Sequence, residues 1–110
     1  MCDPSRSKTP QQRLSRLAAA FGRIASSIEE RQPEGAVGKA LHTTQVLCTA
    51  AASGAPSTEI KALLTNVQRA LETWRTVWPR LGGQREFRQA VAREANLWAR
   101  KLSELVTDAK

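Results

Sequence analysis

Hydrophobic residues recur with helical spacing in four segments of this 110-residue chain, and breaker residues separate the segments. Within each segment the apolar positions are three or four residues apart, which places them on one face of an α-helix. The four stripes are Leu14, Leu17, Phe21, Ile24 and Ile28; Val37, Leu41, Thr44, Cys48 and Ala51; Ile60, Leu64, Val67, Leu71, Trp74 and Trp78; and Phe87, Val91, Ala95, Trp98, Leu102 and Leu105. No sustained period-two alternation occurs, so the pattern predicts an all-α fold.

Capping residues predict where the first two helices begin and end. Thr9 suits the N-cap, Pro10 the first helical position, and Gln12 completes a capping box. Pro33 interrupts the pattern and ends the first helix. The second helix is predicted over about 34–52, before the breaker sequence SGAPS.

The third and fourth helices are separated by a proline and a glycine pair. The third helix is predicted to begin near Ser57 or Thr58, both of which are suitable caps. Pro79 either ends this helix or kinks it. The glycine pair at 82 and 83 permits a tight reversal, and the fourth helix then runs from about 84 to 107.

Four amphipathic helices of matched length with short loops predict one domain, an antiparallel up-down-up-down four-helix bundle over 9–108. Residues 1–8 are predicted to form a flexible tail. An alternative is a pair of long hairpins that a second chain completes. Because Trp74, Trp78 and Trp98 continue the apolar stripes, we expect all three rings in the core.

The chain is strongly basic, with 17 Lys and Arg against 10 Asp and Glu, a formal net charge of +7. Such a balance favours anionic partners. Helical geometry places four arginines of the first helix on one side, together with Ala20 and Ser27, and we predict that these arginines contact the phosphates of a nucleic acid. They are Arg13, Arg16, Arg23 and Arg31. The alternative is an ordinary solvated polar face.

The fourth helix has a polar back of a different kind. Gln89, Arg93, Asn96 and Arg100 lie on it, and glutamates border it. This mixture of charges predicts a salt-bridged surface rather than a nucleic-acid track.

The second helix has few charges, since Lys39 is the only charged residue between positions 35 and 57. Helical geometry also places small and apolar residues away from its core stripe. A helix that is apolar on most sides is buried all round or covered by a partner. We therefore predict a protein interface, homomeric or heteromeric, at Ala36, Val46, Leu47 and Ala50. The alternative is that small residues are simply exposed at little cost.

Residue patterns for catalysis, cofactors or metals are lacking in the sequence. A single histidine excludes a His-based metal cluster, and no glycine-rich phosphate loop follows a strand. We expect a non-enzyme without a cofactor, a metal or a small-molecule substrate. Cys2 and Cys48 show no framework spacing and are expected to be reduced thiols. No apolar run is long enough to span a membrane, and no signal peptide is evident, so a cytoplasmic protein is expected.

His42 lies on the second helix of the predicted bundle, and this placement resembles that of the histidine in histidine phosphotransfer domains. In that family a lysine follows three residues after the histidine, and a glycine comes next. Gln45 and Val46 occupy the matching positions here. The resemblance would imply a degenerate phosphotransfer-like module, and the alternative is an exposed histidine without a role.

Together these patterns predict a non-catalytic helical module for protein–protein interaction, such as a small subunit, adaptor or regulator with a basic face. The main alternative is a nucleic-acid-binding accessory protein that contacts phosphates through the arginines of the first helix. A small helical subunit of a ribonucleoprotein complex would combine both roles.

Overall fold

Four helices make up almost all of the part of the chain that the structure describes. The computed structural model describes the backbone of residues 9–108 and the side chains of residues 9–106, so the predicted tail at 1–8 lies outside the described residues. The helices are α1 (Pro10–Glu29), α2 (Glu34–Ser53), α3 (Thr58–Leu81) and α4 (Arg85–Asp108). Within residues 9–108 no strand occurs. The predicted all-α fold is confirmed.

The helix starts follow the predicted capping chemistry. The Gln12 amide N–H donates to Thr9 Oγ1 at 3.1 Å, and the Thr9 amide N–H donates to Gln12 Oε1 at 3.1 Å. This reciprocal capping box has Pro10 within the first turn. At the start of α3 the Ile60 amide donates to Ser57 Oγ at 3.2 Å, which identifies Ser57 as the cap.

The end of α1 is a Schellman motif built on an arginine. The Arg31 amide donates to the Ile28 carbonyl, and the Gln32 amide donates to the Ser27 carbonyl, both at 3.0 Å. Arg31 has a φ of 59°, the left-handed conformation that glycine usually supplies at this position. The helix therefore ends at Glu29, and Arg31 lies beyond it.

Pro79 lies inside α3 and does not end it. The helix continues for two residues to Leu81, and the Gly82 amide donates to the Trp78 carbonyl at 2.7 Å. Proline lacks the N–H that would donate to the carbonyl four residues before it, and only two helical residues follow Pro79, so little of the helix is affected.

The four apolar stripes meet in one core. Its largest fully buried side chains come from every helix and include Phe21, Leu41, Leu71 and Leu102. Trp74 and Trp78 are each 6% exposed, so their predicted core position is confirmed. Phe21 packs against Trp74 edge-on at 6.2 Å between ring centroids.

Trp78 and Trp98 differ in how they meet the core. Trp78 Nε1 donates to the Glu34 carbonyl at 2.9 Å, and its ring lies 5.8 Å from that of Phe87. Trp98 is only half-buried and packs at the edge of the core, so its predicted burial holds in part.

The helix contacts are consistent with a bundle that is open along one edge. α1 packs extensively against both α4 and α2, and α2 packs against α3. The contact between α3 and α4 is much the smallest. The side of α4 that a closed bundle would cover with α3 is therefore left partly uncovered.

Candidate anion-binding cleft

The structure separates the four arginines that the sequence placed on one side of the first helix. Arg13 is half-buried, and its guanidinium donates to the Ala50 carbonyl at 3.2 Å, near the end of α2. Arg16 and Arg23 are exposed on α1, whereas Arg31 follows the helix. Ala20, which the pattern put among them, is 4% exposed and belongs to the buried residues. The stripe is not one continuous solvent-facing surface.

Arg31 instead joins three arginines of α4 around a cleft of about 780 Å³. The cleft lies between the C-terminal end of α1, the turn before α4 and the first three turns of α4. Its lining residues are Ile28, Glu29, Arg31, Gly83, Arg85, Arg88, Gln89, Ala92, Arg93 and Asn96.

Arg88 is the anchored member of this group. It is half-buried, its guanidinium donates to the Gln32 carbonyl, and its Cζ lies 5.7 Å from the centroid of the Trp78 ring. These contacts tie the start of α4 to the turn between α1 and α2. The ring quadrupole also favours a cation at this distance.

The other three arginines of the cleft are exposed and unpaired. Among the described residues, Arg31, Arg85 and Arg93 have no ion pair or side-chain hydrogen bond. Glu29 is the one carboxylate in the lining, against four guanidinium groups, which leaves three net positive charges. Guanidinium groups offer planar paired donors that match phosphate and carboxylate oxygens.

Two further features of the cleft are unfavourable for stability. Arg85 is the first residue of α4, where the helix dipole is already positive. Arg31 is held in the left-handed conformation by the Schellman hydrogen bonds, an arrangement that costs about 1 kcal/mol for a residue other than glycine. The backbone thus tolerates both local charge repulsion and local strain here.

Sequence reasoning missed this cleft because it treated each helix separately. The polar back of α4 was predicted to be salt-bridged, and this prediction is wrong: within residues 9–106, Arg93 and Arg100 form no ion pair with Glu86 or Glu104. Gln89, Arg93 and Asn96 face the cleft instead. One feature of the sequence could have indicated it. Position 31 lies in the turn after α1 and position 85 follows the turn after α3, and these two turns lie at the same end of a bundle.

The predicted interface residues of α2 fall into two groups. Ala36 and Leu47 are half-buried, and Leu47 packs against the core. Val46 is 56% exposed, and Ala50 is exposed while its carbonyl accepts from Arg13. Part of the apolar excess of α2 is therefore used inside the bundle, and Val46 is its large apolar side chain on the surface.

The outward face of α2 is mainly polar, with Val46 and Ala50 as its exposed apolar side chains. Its exposed side chains include Lys39, His42, Thr43 and Thr49. Thr49 Oγ1 donates to the Gln45 carbonyl at 3.1 Å, so this hydroxyl is satisfied within the helix. The exposed His42 lies on this face.

Cys48 is a buried part of the core. Its Sγ lies 3.5 Å from the Leu64 carbonyl oxygen, and burial raises the pKa of the thiol from 9.0 to about 11. A thiol with this pKa stays protonated at neutral pH and packs as a small apolar group.

Two kinds of feature are absent from the part of the chain that the structure describes. No group of three or more His, Cys, Asp or Glu side chains is arranged to hold a metal ion among those residues. None of the helices combines the length and the hydropathy that a membrane crossing requires.

Comparisons with known proteins give no family for the chain. No protein-family model matches it, and neither the curated proteins nor the solved structures show a significant match.

Proposed function

We propose that this chain is a non-catalytic helical binding module, and that the basic cleft binds the phosphates of a nucleic acid. The observation that carries the proposal is the convergence of Arg31, Arg85, Arg88 and Arg93 on one cleft. Three of them lack a carboxylate partner among the described residues and are free to pair with an anion.

The distribution of charge favours a polymer of phosphates over a single small anion. The chain as a whole carries +7, and Arg16, Arg23 and Arg100 are exposed outside the cleft. A nucleic acid seated in the cleft can extend along α4 toward Arg100, which lies two turns beyond Arg93, and release of its counterions drives the association. In this arrangement Arg88 positions the site, while Arg31, Arg85 and Arg93 contact phosphates.

Fluorescence anisotropy with labelled single-stranded RNA and labelled duplex DNA tests the proposal. We expect affinity that falls with salt, with a slope of about −3 in log K against log salt for three to four phosphate contacts. The double variant R85E/R93E should weaken binding at least about tenfold and reduce the magnitude of the slope by about two. The two probes distinguish single-stranded from duplex binding.

A matched control has the same change in charge elsewhere. K61E/R69E alters two exposed residues of α3, outside the cleft, and should weaken binding only slightly. R16E/R23E tests the arginines of α1. Equal losses in the cleft variant and the α3 variant would show that only net charge matters, and no binding at low salt would reject the proposal.

We also propose that the bundle has the up-down-up-down order. Contacts between the beginning of one helix and the end of another support it: Arg13 with Ala50 between α1 and α2, and Cys48 with Leu64 between α2 and α3. The contact of Arg88 with Gln32 supports the same order for α1 and α4. Amide contacts from NMR between facing helices would test each pairing.

A protein partner on α2 is the second candidate function. Val46, one of the two most exposed large hydrophobic side chains among the described residues, supports it. In this proposal the interaction takes place in the cytoplasm. The partner is a subunit of the same assembly that holds the nucleic acid. Val46→Glu should abolish co-purification of a partner in nuclease-treated extracts and leave nucleic-acid affinity unchanged. Val46→Thr, of similar size, is its control, and loss with both variants would point to misfolding.

A further inference from the structure

The uncovered edge of α4 carries an apolar centre between opposite charges. Leu97 is 56% exposed and Trp98 is half-buried. Glu94 and Lys101 are exposed one turn before and one turn after this pair, and they line the same surface depression of about 420 Å³. The small contact between α3 and α4 leaves this face open.

The pattern of this face is self-complementary under a two-fold rotation. Glu94 and Lys101 are seven residues apart, so they lie on nearly the same line along the helix. Leu97 and Trp98 lie midway between them, on either side of that line. A two-fold axis midway along the helix between positions 97 and 98 therefore exchanges the position of the carboxylate with that of the ammonium group.

We propose that two copies of this chain associate through α4, with the two α4 helices antiparallel about that axis. Glu94 of each copy faces Lys101 of the other, which gives two ion pairs. Leu97 of each copy packs against Trp98 of the other, once on each side of the axis. At the ends, Ala90 faces Leu105 of the other copy.

A second copy fits this face because an isologous interface requires each patch to be complementary to itself. The short side chain of Ala90 leaves room for the half-buried Leu105. In the single chain Lys101 Nζ lies 5.6 Å from the Trp98 ring centroid, and in the dimer it turns toward Glu94 of the second copy. The surface is separate from the cleft, whose lining ends at Asn96 on the other side of α4.

Sedimentation equilibrium over a range of concentrations tests the proposal, with RNA absent. The expected mass rises from 12.1 kDa toward twice that value as the concentration increases. E94K and K101E each place like charges opposite one another at both pairs, and each should raise the dimer dissociation constant about tenfold or more. The double variant E94K/K101E exchanges the charges and should restore the dimer.

Mixing the two single variants adds a test that misfolding cannot imitate. E94K presents two lysines and K101E two glutamates, so the mixture should form a heterodimer although neither variant dimerises alone. V46E on α2 is the matched control and should leave the dimer intact. A chain that remains at 12.1 kDa throughout, a dimer insensitive to the charge reversals, or a dimer lost only with V46E overturns the proposal.

Discussion

Among the described residues, Arg31 is the one non-glycine residue with a positive φ, and it lies in the proposed binding cleft. Glycine would relieve the clash that an L side chain suffers in the left-handed region. An arginine in this conformation is consistent with selection for the guanidinium group at some cost in stability, since strain of this kind is concentrated at functional sites.

Arg31→Gly should raise the free energy of unfolding by about 1 kcal/mol because the left-handed conformation costs glycine little. The same variant should weaken nucleic-acid binding, since it removes one phosphate contact. Urea denaturation and anisotropy measure the two effects.

Arg31→Ala is the matched control because it removes the guanidinium and keeps the Cβ in the left-handed conformation. It should weaken binding as Arg31→Gly does, without the gain in stability. Equal stability of the two variants would contradict the assignment of strain to residue 31.

At the residue scale, the sequence predicts contacts between near neighbours better than contacts between distant residues. The Thr9–Gln12 capping box is local and is found as predicted. The left-handed conformation of Arg31 was not predicted, because arginine does not favour this conformation. Pro33 was the residue expected to end the helix. The hydrogen bond of Arg13 to Ala50 joins positions 37 residues apart, which a helical wheel does not compare.

The turn between α3 and α4 requires Gly82 for space rather than for a left-handed conformation. No glycine among the described residues has a positive φ, and Gly82 has a φ of −62° at the end of α3. A Cβ at Gly82 would lie 2.6 Å from the Trp78 carbonyl oxygen and 2.7 Å from Trp78 Cε2. A Cβ at Gly83 would meet only the carboxylate end of Glu34.

Gly82→Ala should therefore lower the free energy of unfolding by about 1–3 kcal/mol, because the buried Trp78 and its backbone must shift. Gly83→Ala should be nearly neutral, because the flexible Glu34 side chain can turn away. Thermal unfolding of both variants makes the comparison. A larger loss for Gly83→Ala than for Gly82→Ala would contradict this account of the turn.

At the element scale, the apolar periodicity predicts the number of helices and their bounds within a few residues. It does not predict how closely each pair of helices packs. Ala18 and Ala25 of α1 and Ala92 and Ala95 of α4 are all buried, and small side chains let helix backbones approach closely. The helical spacing of apolar residues does not distinguish a small alanine from a large tryptophan. The small α3–α4 contact and the half-buried Trp98 were therefore not predicted.

At the scale of the whole molecule, the arginine cleft forms only when the helices of the chain pack together. The sequence predicts an excess of positive charge and an anionic partner, but it assigns the contacts to one helix. The cleft combines Arg31, from beyond α1, with arginines spaced along α4. Their proximity depends on the packing of α1 against α4, and this long-range contact is absent from any single helical pattern.

If the cleft is adapted to hold an anion, repulsion among its arginines should lower the free energy of unfolding when no anion is bound. Four guanidinium groups repel one another there, and Arg85 also opposes the dipole at the start of α4. The R85E/R93E variant lowers the formal net charge from +7 to +3 and places a carboxylate at the helix start. We expect it to be more stable by about 1 kcal/mol at low ionic strength, although it binds nucleic acid more weakly.

Urea denaturation at low and high salt checks this expectation, since about 1 M salt should remove most of the difference by screening the charges. K61E/R69E makes the same change in net charge on α3 and isolates the general effect of the +7 charge. Because like charges are concentrated in the cleft, the cleft variant should gain more stability than the α3 variant. An equal gain in both would mean that the cleft arginines do not repel one another more than the rest of the surface does.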